Sequence, residues 1–452
     1  ILYLYSYFKP MHPIIRKIII FKLQLLARLI LKKYKPKIVA VTGSVGKTST
    51  KDAVAAMLEA HATVWKSKKS QNSEIGLAIT VLGCENAWGS ISGWMANIWH
   101  GISMLIFRYD YPEWLVLEVG IGKPGDMQKT AGWLQTDVVV TSLFGETPVH
   151  VEFFADKDAV SIEEFSLVKT LKNSGVLVVN QDDEKIPMLL AQLPAPGRIV
   201  TYGFSESAQV RGSHVQVLYE KKDHAWEVPT GMVMRVGIEG NSLPITLRGG
   251  VGVGHVTAPL AACAVLHALD MNVVQALSVF DDVSTMFQPG RMRLVDGLEG
   301  STIVDDSYNA APVAVQSGLH VLSNLETKGR RIAVLGDMLE LGKHTQEEHA
   351  KIGMLVAELK NIALLFVVGP RAEDIAKSAI EHGYPEDRVL KFRDSRLAIA
   401  PLVDILADRD IVFVKGSQGV RMERIVEAVM ARPEEAVDLL PRQDAEWKKR
   451  NK

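Results

Sequence analysis

"KIVAVTGSVGKTSTKDAVAAMLEA", residues 37–60, decides the fold. The run Ile38–Thr42 is apolar and β-branched and stops at a glycine, as a buried parallel strand does. From Lys47 onward Val54, Met57 and Leu58 recur at helical spacing. Between strand and helix lies "GSVGKTS", with Gly43, Gly46, Lys47 and Thr48 in phosphate-loop order. The backbone N–H groups of Gly43, Ser44, Val45, Gly46 and Ser49 and the helix N-terminus would cradle phosphates. Lys47 would neutralise them and the Thr48 hydroxyl would ligate Mg²⁺. ATP with Mg²⁺ is therefore the expected cofactor pair. Phosphoryl chemistry asks for a second metal ligand, and Glu118 closes the apolar run "WLVLEVG" (114–120) where such an acid belongs. An acid at a strand end can equally cap the next helix.

Working outward, "DVVVTSL" (137–143) and "GVLVVN" (175–180) repeat the pattern of buried strands between helical stretches. This predicts an α/β fold: a phosphate-loop central domain with a parallel sheet, covering 37–288. Residues 205–250, with "HVQVLYE" and "LPITLRG", read as an antiparallel annex to it. "FQPGRM" (287–292) reads as a hinge, and beyond it "STIVDDSYNA", "RRIAVLGDM", "ALLFVVG" and "DIVFVKGS" are strands of a second, Rossmann-like α/β domain, 289–452. The tail "RQDAEWKKRNK" is charged and reads as frayed.

The 452 residues suit two or three domains, and 47% hydrophobic residues suffice for sizeable cores. A formal net charge of −1 gives no field that favours nucleic acid. Cys84 and Cys263 lie in apolar surroundings without metal or redox spacing, consistent with buried thiols in a reducing, cytoplasmic compartment. The chain opens at Ile1 rather than Met, consistent with further residues upstream. Residues 1–36 form a basic amphipathic helical segment. Within it 14–34 carries Arg16, Lys17, Lys22, Arg28, Lys32 and Lys33 among apolar residues, too many cations for a membrane span. It fits a helix on the inner face of an anionic membrane and equally a helix packed on the next domain. The uncharged stretch 88–107, with three tryptophans, fits a core helix or an interfacial patch.

Further motifs follow in order: "SQNSEIGLAITVL", "LEVGIGKPGDM", "PGRM", "IVDDSYNAAP", "VLGDMLELG" and "KGSQGVRMERIV". From about Lys37 to Met430 the chain resembles the Mur ligases, the ATP-dependent amide-forming enzymes of peptidoglycan assembly. Within them it is most similar to the branch that adds D-alanyl-D-alanine. The resemblance implies transfer of the γ-phosphoryl group to a muramoyl-peptide carboxylate, then attack on the acyl phosphate by a D-Ala-D-Ala-like amine. It implies one Mg²⁺ on Thr48 and Glu118, and a second on a histidine and a carbamylated lysine. The histidine matches His150 in "HVE". The lysine position, fourteen residues on, is Glu164, so the expectation is a built-in carboxylate in place of a carbamylated lysine. The other carboxylates of the stretch, Asp156, Asp158 and Glu163, read as solvated.

The resemblance also carries Asn72, Arg291 and Asp306 to the nucleotide, and Asn309, Lys415 and Ser417 to the amine substrate. Arg291 as a hinge salt bridge and Asp306 as a turn cap are the plainer alternatives. A nucleotide gripped by both domains would require closure about residues 287–290. Three departures bear on the carry-over. The adenine-reading motif keeps His255 but no asparagine; Lys123 stands beside the metal-site acid; and the basic helix stands where the family's uridine-diphosphate-binding domain would precede Lys37. The last admits a substrate presented at a membrane. Other readings are a ligase acting on another polyamide, folylpolyglutamate- or cyanophycin-like, and a non-ligating membrane-associated nucleotide-binding protein.

Overall fold

A computed structural model gives the fold and describes residues 13–68, 71–193, 197–222, 226–281, 288–444 and 447. The segment before Pro13, Phe287 of the hinge and most of the tail lie outside the described residues. Two compact units emerge. The first comprises 1–144, 158–211 and 258–279; the second comprises 145–157, 212–257 and 280–452. The antiparallel residues after 212 and the segment 145–157 thus group with the C-terminal half, whereas the sequence suggested one cut at 288/289.

In the first unit the strands are β1 (Lys37–Thr42), β2 (Val64–Lys66), β3 (Trp114–Glu118), β4 (Thr136–Thr141), β5 (Leu171–Asn180) and β6 (Arg198–Gly203). They lie in the order β2-β3-β1-β4-β5-β6, and every neighbouring pair is parallel. All five residues of β3, and all of β1 after Lys37, are buried. This is why the sequence shows unbroken apolar runs rather than alternation. Glu118 and Thr42 close β3 and β1, which pair in register, so both lie at the same C-terminal sheet edge. Ligands of open parallel sheets bind outside that edge.

The helices are α1 (Pro13–Tyr34), α2 (Lys47–Glu59), α3 (Glu74–Val81), α4 (Ile91–Ile106), α5 (Asp126–Ala131) and α6 (Lys157–Phe165). α1 packs on α3 and α4 through Leu23, Leu26, Ala27 and Ile30, all buried. Gly101 of α4 permits the approach: a Cβ there would meet Leu26 Cδ1 and Leu82 Cδ2 at 3.1 Å. Lys33 Nζ donates to the carbonyls of Met104 (2.8 Å) and Phe107 (2.6 Å), serving unpaired acceptors at the end of α4. α6 ends at Phe165; residues 166–170 tighten into a 3₁₀ turn and Leu171 opens β5.

In the second unit β8 (Trp226–Ile238) and β9 (Asn241–Arg248) pair antiparallel, next to β7 (Val210–Lys222), as the annex was expected to. Six further strands are β10 (Arg293–Asp296), β11 (Thr302–Asp306), β12 (Arg331–Gly336), β13 (Leu364–Val368), β14 (Val389–Phe392) and β15 (Ile411–Lys415). Their order is β10-β11-β15-β12-β13-β14, with only β10 antiparallel. The core includes Ile303, Val334, Phe366, Val412, Val414 and Met422. β11 and β15 run side by side, with Asp306 opposite Lys415. Among the described residues no helix is long and apolar enough to cross a membrane.

Candidate active site

The phosphate loop leaves β1 at Gly43, whose φ of +123° favours glycine, and where a Cβ would meet Ser142 N at 3.1 Å. Ser44 N and Val45 N donate to Leu143 O at 2.8 and 2.9 Å, tying the loop to the end of β4. Gly46, at φ +89°, caps α2 without a side-chain bond. The first-turn N–H groups of α2 are left facing outward from the helix start, the arrangement that attracts phosphate. Lys47 Nζ turns back to the carbonyls of Gly43 and Ser44 and lies 3.4 Å from Glu164 Oε1. Ser44 Oγ donates to the other oxygen, Glu164 Oε2, at 2.7 Å. Glu164 is thus buried directly on the phosphate loop, near the end of α6, with both carboxylate oxygens engaged.

Glu118 lies at the neighbouring strand end and is 2% exposed. Asn72 Nδ2 donates to Glu118 Oε1 at 3.3 Å, so these two expected residues meet. Its Oε2 is buried without a hydrogen-bond partner, 4.0 Å from Lys51 Nζ. Lys51, also buried, donates to Ser67 O at 2.8 Å and lies 3.4 Å from Asp52, which Lys66 approaches at 3.1 Å. A buried carboxylate oxygen lacking a partner is costly unless something binds it. That oxygen is a hard donor of the kind that suits Mg²⁺, and Thr48, the other expected ligand, is buried at the start of α2. Sequence reading missed Lys51, Asp52 and Ser67. The signal was two adjacent charges directly before the apolar half of α2.

In the second unit the Lys415 ammonium forms a buried ion pair with Asp306 Oδ2 and donates to Asn309 O at 2.9 Å. Burial pushes the Asp306 carboxyl up, against the pull of Lys415. Asn309 itself is exposed, whereas Ser417 is buried and accepts from Leu339 N at 2.9 Å. Arg291 stacks over the Tyr308 ring, 4.5 Å from its centroid. His255 Nε2 lies 2.9 Å from Arg291 O, and burial pushes its imidazole down to about 4, so it is neutral. Arg291, His255, Asp306 and Lys415 are therefore tied together by the turns that flank β10 and β11.

His150 belongs to this second unit, while Thr48, Glu118 and Glu164 belong to the first. Its Nδ1 pairs with Glu340 Oε2 at 2.7 Å, and both residues hold positive φ, 69° and 65°. Burial raises the Glu340 carboxyl, but the hydrogen bond and charge of His150 outweigh it and leave it below its ordinary value. Thr147 Oγ1 and Lys157 Nζ both reach the buried Glu348, at 3.0 and 3.5 Å. Among the described residues no three of His, Cys, Asp and Glu gather as a metal-holding group. The expected pairing of His150 with Glu164 is not formed within either unit. The carboxylates read as solvated have partners. Glu163 accepts from Met127 N at 2.9 Å, capping α5, and exposed Asp158 pairs with Lys185 at 3.2 Å.

Two protein-family descriptions match this chain, "Mur ligase middle domain" over 41–247 and "Mur ligase, glutamate ligase domain" over 290–418. The chain belongs to the Mur ligase family. Among curated relatives, the UDP-N-acetylmuramoyl-tripeptide--D-alanyl-D-alanine ligase of Bacillus subtilis (strain 168) is 27% identical over 412 residues, covering 91% of this Mur ligase and 79% of the relative. Among solved structures, MurF from Acinetobacter baumannii superposes with a TM-score of 0.72 at 21% identity, covering 89% of this chain and 79% of that one. MurF ligase from Thermotoga maritima in complex with ADP gives 0.70 at 24% identity, covering 95% and 84%. These two structures share the fold of this Mur ligase, and the family descriptions bracket its phosphate loop and the loop from Asp306 to Asn309.

Proposed function

We propose that this Mur ligase uses ATP to join D-alanyl-D-alanine to the carboxylate of a muramoyl tripeptide, releasing ADP and phosphate in peptidoglycan synthesis. The observation that carries the reading is the phosphate loop at the sheet edge, with Lys47 beside Glu164 and with Glu118 and Asn72 joined at the next strand end. A substrate carboxylate oxygen attacks the γ-phosphorus and the bond to ADP breaks. The amine nitrogen then attacks the acyl carbon, phosphate leaves, and the amine loses its proton. The loop and α2 N–H groups hold the phosphates, and Lys47 balances charge developing on the transferred group. Asn72 orients Glu118. Mg²⁺, held by Thr48 and Glu118, would supply charge neutralisation between the phosphates. In the second unit Arg291 and Asp306 are nucleotide contacts in this reading, while Asn309, Lys415 and Ser417 serve the amine side. Glu164 supplies a fixed carboxylate where the family resemblance implies a carbamylated lysine. The need for ATP puts the reaction in the cytoplasm.

The test is a mass-spectrometric assay with ATP, Mg²⁺, D-Ala-D-Ala and the tripeptide supplied UDP-linked, free or lipid-linked. An amide product with ADP release that requires both acceptor and amine is expected. ATP hydrolysis indifferent to both would overturn the reading.

One surface supports peripheral membrane contact as part of the same proposal. Ile14, Ile18, Phe21, Leu25 and Leu29 form an exposed stripe along α1, and Met95, Trp99 and Ile106 are exposed on α4, which packs against it. At 100° per residue, Lys17 and Arg28 flank the stripe on one side and Lys22 on the other; neither helix carries an acidic residue. Cosedimentation with vesicles of anionic phospholipid is expected, reduced in Phe21→Ser with Trp99→Ser. Equal recovery with neutral and anionic vesicles would remove this part.

A further inference from the structure

Arg442 opens the tail that reads as frayed, and it lies beyond the last residue matched by either family description. Yet its side chain is only 2% exposed. The guanidinium donates through Nη1 to Glu423 Oε2 at 2.9 Å and to Ser307 O at 3.3 Å, and through Nη2 to Tyr308 O. It also lies 5.1 Å from the centroid of the Tyr308 ring, the ring that Arg291 covers. The residue before it joins the same junction. A Cβ at Gly290 would meet Pro441 Cγ and Tyr308 N, each at 2.9 Å, and Tyr308 N donates to Gly290 O at 3.0 Å. Arg442 holds a φ of 61°, sparsely populated for a non-glycine residue and retained where surroundings over-determine it.

The two carbonyls that Arg442 engages belong to the turn after Asp306. Without it, two acceptors and the buried Glu423 would lose a planar, multi-donor partner, and Arg421 would remain on Glu423. The ring of Tyr308 would also lose a guanidinium neighbour, loosening the surface on which Arg291 rests.

We propose that Arg442 is a positioning residue for nucleotide binding: it fixes the Ser307–Tyr308 turn and through it the placement of Asp306 and Arg291. The inference rests on the reading of those two residues as nucleotide contacts. It assigns the tail a part in the site that no family motif includes.

The experiment compares the wild-type chain with Arg442→Gln, Arg442→Lys and, as reference, Lys47→Met. It measures KM for ATP, tripeptide and D-Ala-D-Ala, kcat, and ADP affinity by calorimetry, all well below each protein's unfolding temperature. Arg442→Gln is expected to raise KM for ATP and weaken ADP about tenfold, leaving the other two KM values within about twofold. Arg442→Lys, which keeps the charge but not the fork, should fall between. If Arg442→Gln does not fold, the lysine variant decides. Unchanged KM for ATP, or a fall in kcat alone, overturns the proposal. Failure of the ligase reading is separable: wild type would then make no amide, and ADP binding would still report on Arg442.

Discussion

Two substitutions at the phosphate loop discriminate most sharply. Lys47→Met should lower kcat by about 100-fold or more, as loss of a charge aimed at the transferred group does, while circular dichroism stays native. Glu164 occupies a position where the family resemblance implies carbamylation. A glutamate needs no carbon dioxide, so ligation should be equally fast in degassed buffer and with added bicarbonate. Glu164→Gln should fall well below Glu163→Gln, since Glu163 bonds the α5 cap rather than the phosphate loop. A bicarbonate response in the wild-type chain would count against the built-in carboxylate. The register from His150 made Glu164 legible in the sequence. Its contacts with Lys47 and Ser44 were not, because they depend on how α6 meets the loop across more than a hundred residues.

Elements were legible where burial is two-sided. β1, β3, β11 and β15 are buried through all or nearly all of their length and appear as apolar runs. β2, β10 and β14 escaped notice: at three or four residues each they give no periodicity to read. The α1–α4 contact turns on Gly101, and its consequence is measurable. Gly101→Val would press against Leu26 and Leu82 and should destabilise the first unit by about 1–3 kcal/mol, read in urea denaturation. Phosphate-loop chemistry should survive where the protein stays folded. Sequence periodicity left α1 between membrane and core; the structure shows it serving a core with one face and exposing a cation-flanked apolar face with the other.

At the scale of the whole molecule a net charge of −1 conceals buried groups that titrate in opposite directions. Asp305 is pushed up from 3.8 to about 6 by burial, so it binds its proton more tightly folded than unfolded. The stability it permits is present below about pH 4 and is lost as pH rises through 6. His255 is pushed down from 6.5 to about 4 by burial; its stability is present above about pH 6.5 and is lost as pH falls through 4. Each change amounts to about 3 kcal/mol, so between pH 4 and 6 these two contributions to the second unit oppose each other and nearly cancel. Asp305→Asn removes one slope, and its unfolding temperature should then fall on acidification, measured by calorimetry at pH 4, 5, 6 and 7. The division into two units was the least legible feature, since residues 145–157 and 212–257 join the second unit through packing that no local pattern announces. The carboxylate resting on the phosphate loop has a pharmacological consequence as well. An ATP-competitive compound bearing an ammonium near its terminal phosphate mimic would meet the Glu164 anion here. Its hold on this site would not depend on carbon dioxide, as it would where the carboxylate is made by carbamylating a lysine.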